Sequence, residues 1–256
     1  MSTFWNPDLV PAALITLTRS LGAPAKDLVI LAEGNTSQRL DENRIVVKAS
    51  GANMASSTAE DFVIAEIAPL FDLITSPHST QAQLTSVLDA GEHDGKRRRG
   101  SIETLIHVAV QVIKPVEFVA HSHPTSVVSL LASVHAEHAF DSAVYSDEAV
   151  VLGRPLFVPY AQPGIDLGRI FYERLRVRVE ETGELPSLVL LANHGLLAIA
   201  STAEGAEAVS LMTVKGARVR LGAYAAGGVV ALNDEAVAKY FVREDILERR
   251  HQLSGA

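Results

Sequence analysis

Val116-Glu117-Phe118-Val119-Ala120-His121-Ser122-His123-Pro124 places a short, almost wholly apolar run directly before two histidines. Such a run reads as a buried strand. In an extended chain residues i and i+2 face the same way, so His121 and His123 can aim at one centre. Pro124 then opens a helix through Ala132, with proline at a favoured first-turn position. A second apolar stretch carries a third histidine: Ser187 to Ala192 and Leu196 to Ala200 read as strands either side of Asn193-His194-Gly195.

Outward from these strands, helical and extended patterns interleave. Asp8 to Leu21 has Leu9, Val10, Ala13, Leu14 and Leu17 at helical spacing. Leu28 to Leu31 leads into Glu33-Gly34-Asn35-Thr36-Ser37, read as a polar turn, and Arg44 to Lys48 is a strand ending at a second turn, Ala49-Ser50-Gly51. Phe62 to Ala65 is a further strand; Ile67 to Leu73 and Thr80 to Leu88 are short helices. Gly91 to Gly100 is charged and Gly-containing and is expected to be a loop. Ser101 to Ile113 reads as a helix with Ser101 as N-cap and Glu103 in its first turn, ended by Pro115. Strands are expected near Val150 and at Leu156 to Val158, and helices from Ile165 to Glu181, from Thr202 to about Ala226, and from Asp234 to His251. No repeat, low-complexity tract or linker divides the chain, so the expectation is one α/β domain over residues 1–256, with a C-terminal helical extension over about 232–256.

Composition narrows the function. A 256-residue chain that is 48% hydrophobic and 20% charged is long enough for a sizeable core. A net charge of -8 offers no broad basic field for nucleic acid. With no cysteine, any metal is held by imidazole or carboxylate. The start, Met1 to Pro7, lacks the pattern of a signal peptide, and no apolar run reaches membrane-spanning length, so a cytoplasmic protein without a membrane partner is expected.

Imidazole suits zinc, and a catalytic zinc typically has three protein ligands and one open position. His194 is the best third partner for His121 and His123, since it too follows an apolar strand. A His-x-His pair also occurs as plain structure, an Asn-His-Gly as an ordinary turn, and an acidic residue at a helix start as a partner of the macrodipole. Strand-end placement favours a site, because α/β folds build sites there. His107, four residues after Glu103 on one helix face, is read as a non-ligand. His78, His93, His135, His138 and His251 are read as solvated.

Six motifs occur in order: Gly34-Asn35-Thr36-Ser37, Ala49-Ser50-Gly51, Ser101-Ile102-Glu103-Thr104-Leu105-Ile106-His107, His121-Ser122-His123-Pro124, Val158-Pro159-Tyr160-Ala161 and Asn193-His194-Gly195-Leu196. Over roughly residues 8 to 225 the chain resembles the class II aldolase/adducin family, which includes fuculose-1-phosphate and rhamnulose-1-phosphate aldolases and ribulose-5-phosphate 4-epimerase. The resemblance implies a three-layer α/β/α sandwich around a mostly antiparallel sheet. It implies one divalent metal per subunit on His121, His123 and His194, zinc by preference over manganese, cobalt or magnesium. Glu103 becomes the acid/base, and Gly34, Asn35, Ser50, Gly51 and Ser101 the phosphate pocket. It implies a homotetramer with sites at subunit boundaries, acting on a sugar phosphate or sugar acid. The reaction expected is aldol cleavage of a small sugar phosphate or related keto acid through a metal-stabilised enediolate. Epimerisation or decarboxylation within the family is the alternative, and a non-catalytic module like the adducin head is a third.

Two features depart from the family pattern. Many of its sugar-phosphate aldolases carry two serines before the glutamate; here Ser101 is followed by Ile102. The segment from Asp72 to Gly100 is long and carries Lys96-Arg97-Arg98-Arg99, either a solvated run or the source of an arginine that replaces the missing donor. A tyrosine lent by a neighbouring subunit is also implied; Tyr145, Tyr224 and Tyr240 are its candidates.

Overall fold

The alternation of inward side chains along the central strands explains the architecture. In the computed structural model, which describes residues 3–248, one sheet has eight strands. In chain order they are β1 (Thr3–Phe4), β2 (Asn35–Arg39), β3 (Arg44–Lys48), β4 (Phe62–Glu66), β7 (Phe118–Ser122), β8 (Leu156–Val158), β9 (Leu188–Leu191) and β10 (Gly195–Ala200). A separate hairpin is made of β5 (Asp89–His93) and β6 (Lys96–Arg99). The spatial order is β1-β4-β3-β2-β7-β10-β9-β8, antiparallel throughout except for the parallel edge pair of β8 and β9.

Each strand sends alternate residues to opposite sides. Val119, Val189, Leu191, Leu197 and Ile199 face one helical layer: α2 (Ile67–Thr75), α3 (Gln81–Val87), α4 (Thr104–Ile113) and α7 (Ile165–Thr182). Phe118, Ala120, Leu188, Leu190, Leu196 and Ala198 face the other: α1 (Ala12–Leu21), α5 (Thr125–Leu131), α6 (Ser146–Leu152) and α8 (Ala203–Ala225). The fold is thus the expected α/β/α sandwich with a mostly antiparallel sheet. A last helix, α9 (Asp234–Phe241), packs near α6.

Several local expectations are corrected. The first helix does not start at Asp8: Pro11 occupies its N-cap, and Pro7–Leu9 forms a separate 3-10 turn. Asn35-Thr36-Ser37 is not a turn but the start of β2, its polar side chains satisfied by buried partners. The segment from Gly91 to Gly100 is a hairpin rather than a loop, closed by Asp94-Gly95, both in the left-handed region at φ 53° and 73°. That pair is a strong two-residue hairpin signal. The stretch around Val150 is helical, because Glu148, Ala149 and Leu152 turn inward towards α8. The helix after Ser101 starts three residues later, with Glu103 at the cap position. The C-terminal helix ends at Phe241 and a second helical stretch covers 244–248; the rest of that expectation, including His251, lies outside the described residues.

Candidate metal centre

Register places the polar residues. Asn35 lies beside His121, Ser37 beside Val119, and Leu197 beside His121 on the other neighbouring strand. All therefore share the face covered by α4, whose start carries Glu103 and, one turn on, His107. His123 follows β7, and its N–H donates to Leu28 O at 2.9 Å. His194 sits in the tight turn between β9 and β10, closed by its N–H to Leu191 O at 3.1 Å, with Asn193 left-handed at φ 53°. Asparagine tolerates that conformation better than most residues.

The side chains converge. Glu103, His121, His123 and His194 each offer an atom within 4.8 Å of the others. Glu103 Oε1 is 2.8 Å from His194 Nε2 and 3.4 Å from His121 Nε2, and His121 Nε2 is 2.8 Å from His123 Nε2. His121 Nδ1–H donates to Leu196 O at 2.8 Å, which leaves Nε2 facing the cluster. Three imidazoles brought together this way in a largely buried pocket, with no cysteine available, fit a divalent ion of the zinc type.

A buried relay holds Glu103. Asn35 Nδ2 donates to Glu103 Oε2 at 2.8 Å and to Ser101 Oγ at 3.3 Å. Asn35 Oδ1 then accepts from His107 Nε2–H at 2.5 Å, and His107 Nδ1 accepts from Ser37 Oγ at 2.7 Å. Each donor meets an acceptor only if His107 is neutral. Burial, with the nearby charge of His121, pushes His107 down to about 3, so it stays neutral. His107 thus stands behind Glu103 rather than in the cluster of four.

The electrostatics follow from burial and pairing. Burial raises Glu103, but His121 and His194 outweigh it and hold the carboxyl well below its usual range. Burial lowers His121, yet Glu103 outweighs it and the net shift is upward. His123, buried and beside His121, falls to about 3.

Of the expected anion pocket, Asn35 and Ser101 lie against Glu103, and Gly34 lies against the backbone of His121. Gly34 is left-handed at φ 67°, and a Cβ there would come within 2.8 Å of His121 O. Ser101 Oγ accepts from Asn35 and from Glu103 N–H at 3.3 Å, so its proton has no acceptor among the described residues. Ser50 and Gly51 are exposed, and Ser50 N–H donates to Arg99 O at 2.8 Å, two residues before Ser101. Of the basic run, Arg98 is buried against Trp5, Glu60 and Asp61, Arg97 pairs with Asp89, and Lys96 and Arg99 are exposed.

Sequence reasoning missed two neighbours. Glu33 Oε2 lies 3.8 Å from His123 Nδ1. Lys48 is buried beneath the second turn; a lysine closing the apolar run Ile45-Val46-Val47, two residues before Ser50-Gly51, was its visible signal. Two outlying histidines are also less free than expected: His93 stacks on Trp5 at 4.5 Å and His135 on Tyr224 at 4.3 Å. Tyr145 Oη donates to Met212 Sδ at 2.8 Å, and burial with the charge of Glu148 pushes its hydroxyl up to about 12.

A three-histidine, one-carboxylate cluster at the ends of the central strands of an α/β/α sandwich defines the class; comparison supplies the family. Residues 12–221 match the model of the class II aldolase and adducin N-terminal domain, and the chain belongs to that family. A curated relative, the uncharacterized oxidoreductase YuxG of Bacillus subtilis (strain 168), is 27% identical over 179 residues, 67% of this chain. The match spans only 24% of that relative's length. Among solved structures, YgbL from Klebsiella pneumoniae, a putative aldolase/epimerase/decarboxylase, is 17% identical with a TM-score of 0.66, over 92% of this chain and 99% of that one. An L-fuculose 1-phosphate aldolase from Glaciozyma antarctica PI12 is 19% identical with a TM-score of 0.60, over 98% and 94%. These likenesses at low identity show the shared fold. No helix among the described residues is long and apolar enough to cross a membrane.

Proposed function

We propose that the chain is a metal-dependent aldehyde-lyase that cleaves a small sugar phosphate or related keto acid. The observation that carries this is the convergence of Glu103 on His121 and His194, with its second oxygen fixed by Asn35. His121, His123 and His194 would hold one divalent ion, zinc by the preference of three imidazoles. When bound, that ion supplies Lewis-acid polarisation of a substrate carbonyl and its neighbouring hydroxyl.

The chain's own groups do the rest. Glu103, kept ionised by its neighbours, takes the proton from the carbon next to the carbonyl or returns it there. Asn35 holds the carboxylate by donating to Oε2, and His107 holds Asn35 by donating to Oδ1. The Ser101 hydroxyl, with Gly34 and the Ser50-Gly51 turn, supplies donors for the substrate's anionic group. The reading extends to a single domain over 1–256 with its extension at 232–256, a homotetramer and a cytoplasmic location, supported by family membership and a cysteine-free sequence.

Epimerisation or decarboxylation is the second reading, favoured by the same four residues, since they serve any reaction that passes through an enolate. The intact cluster weighs against a purely non-catalytic module. Glu103→Gln, assayed against phosphorylated and free pentuloses, hexuloses and four-carbon keto acids, is expected to keep its metal and lose turnover by roughly 10²–10⁴-fold. Near-normal turnover in that variant contradicts the assignment.

A further inference from the structure

The loop from Leu28 to Glu33 meets His123 twice. Leu28 O accepts the His123 backbone N–H at 2.9 Å, and Glu33 Oε2 lies 3.8 Å from His123 Nδ1. Between these contacts the backbone makes a tight turn. Glu33 N–H donates to Ile30 O at 3.0 Å, and Ile30 N–H donates back to Glu33 Oε2 at 3.1 Å. The turn holds Leu31 in the left-handed region at φ 52°. That conformation is unfavourable for leucine. Leu31 is 81% exposed, so packing of its side chain does not repay the strain. Strain of this kind persists where it positions something, and this turn aims the Glu33 carboxylate.

The His123 ring faces two ways. Nε2 lies 2.8 Å from His121 Nε2, inside the cluster of four, while Nδ1 faces Glu33. An imidazole that gives one nitrogen to a metal keeps its proton on the other, and a partner for that proton fixes the ring. His121 has that partner in Leu196 O. At His123 the Glu33 carboxylate takes the corresponding place. Their separation is an ion-pair distance, roughly 0.6 Å beyond an ordinary hydrogen bond. A small rotation of the half-exposed side chain closes that gap. Glu103 cannot serve here, since its oxygens already meet His121, His194 and Asn35. We propose that Glu33 is a positioning residue: its carboxylate accepts the Nδ1 proton of His123, holds Nε2 towards the metal and so tightens metal binding. This rests on the metal-centre reading given under Proposed function.

The test uses the purified full chain, stripped of metal and reloaded with zinc. Zinc affinity is read by competition with a chromophoric chelator, and the state of each imidazole by nitrogen NMR of the zinc-loaded chain. In the native chain His123 should carry its proton on Nδ1, with the signal displaced as for an imidazole bonded to a carboxylate. Glu33→Ala should bind zinc roughly 10–100-fold more weakly and lose that displacement. Glu33→Gln, which keeps an oxygen acceptor without the charge, should fall between the two in both readings. A merely structural role of the turn would lower the unfolding temperature of the metal-free chain and leave the His123 signal as it was. Native zinc affinity in Glu33→Ala, or one His123 signal shared by the native chain and the variants, overturns the proposal and leaves the metal centre standing. Should Glu33→Ala fail to fold, Glu33→Gln decides the matter on the same two readings. Failure of the native chain to bind zinc removes the metal centre and this inference with it.

Discussion

At the scale of single residues, the relay from Ser37 through His107 and Asn35 to Glu103 carries the most consequence. Every polar atom in it has a partner, and the arrangement works only with a neutral imidazole. That makes it sensitive to acid. His107 sits at about 3 in the fold against its ordinary 6.5, so in between the unfolded chain binds a proton that the folded chain refuses. Stability is therefore lost as the pH falls from 6.5 towards 3, by up to about 1.4 kcal/mol per pH unit from this group. Denaturant midpoints measured across that range should slope downwards in the native chain and less steeply in His107→Gln; equal slopes count against the neutral relay. The histidines and the glutamate were legible as residues, because His121 and His123 follow an apolar run and Glu103 opens an amphipathic one. Their connection through Asn35 was not, because side-chain hydrogen bonds between residues about 70 positions apart leave no periodic trace.

At the scale of elements, the site depends on how closely β7 and β10 approach. Gly195 is the point of contact: a Cβ there would lie 2.3 Å from Ser122 O and 2.9 Å from the His123 ring. Gly195→Ala must push the strand ends apart between His194 and the pair on β7. It is expected to lower stability by about 1–3 kcal/mol and to weaken metal binding, read from thermal unfolding with and without added zinc. Unchanged unfolding in both conditions would show that the contact has no such role. β3 and β4 were readable as short apolar runs bounded by turns, and α8 from its opening at Thr202 with Glu204 and Glu207 following. The helix at Ser146–Leu152 was not: in Ala149-Val150-Val151-Leu152 a short apolar run is the same for a strand and a buried helix, and packing against α8 decides it. The β5–β6 hairpin was missed for a different reason. Its charged residues mask the alternation, and only Asp94-Gly95 announces the turn.

At the scale of the whole molecule, the cluster joins parts of the chain that are far apart in sequence: the start of α4, the end of β7 and the turn between β9 and β10. The sheet order makes this possible, since β2, β7 and β10 lie side by side at its centre. Sequence reading reached the layered sandwich through the ordered motifs, not through periodicity, which does not report strand direction. The parallel edge pair of β8 and β9 was visible in neither. A site assembled from three separate segments is a natural place for a metal to tie the fold together. The decisive property of the molecule is therefore whether it holds one ion there. Elemental analysis of the purified native chain beside His123→Ala tests it most directly. One divalent ion per native chain, and close to none in the variant, is the predicted result. No ion in the native chain, or a full complement retained in His123→Ala, contradicts the account.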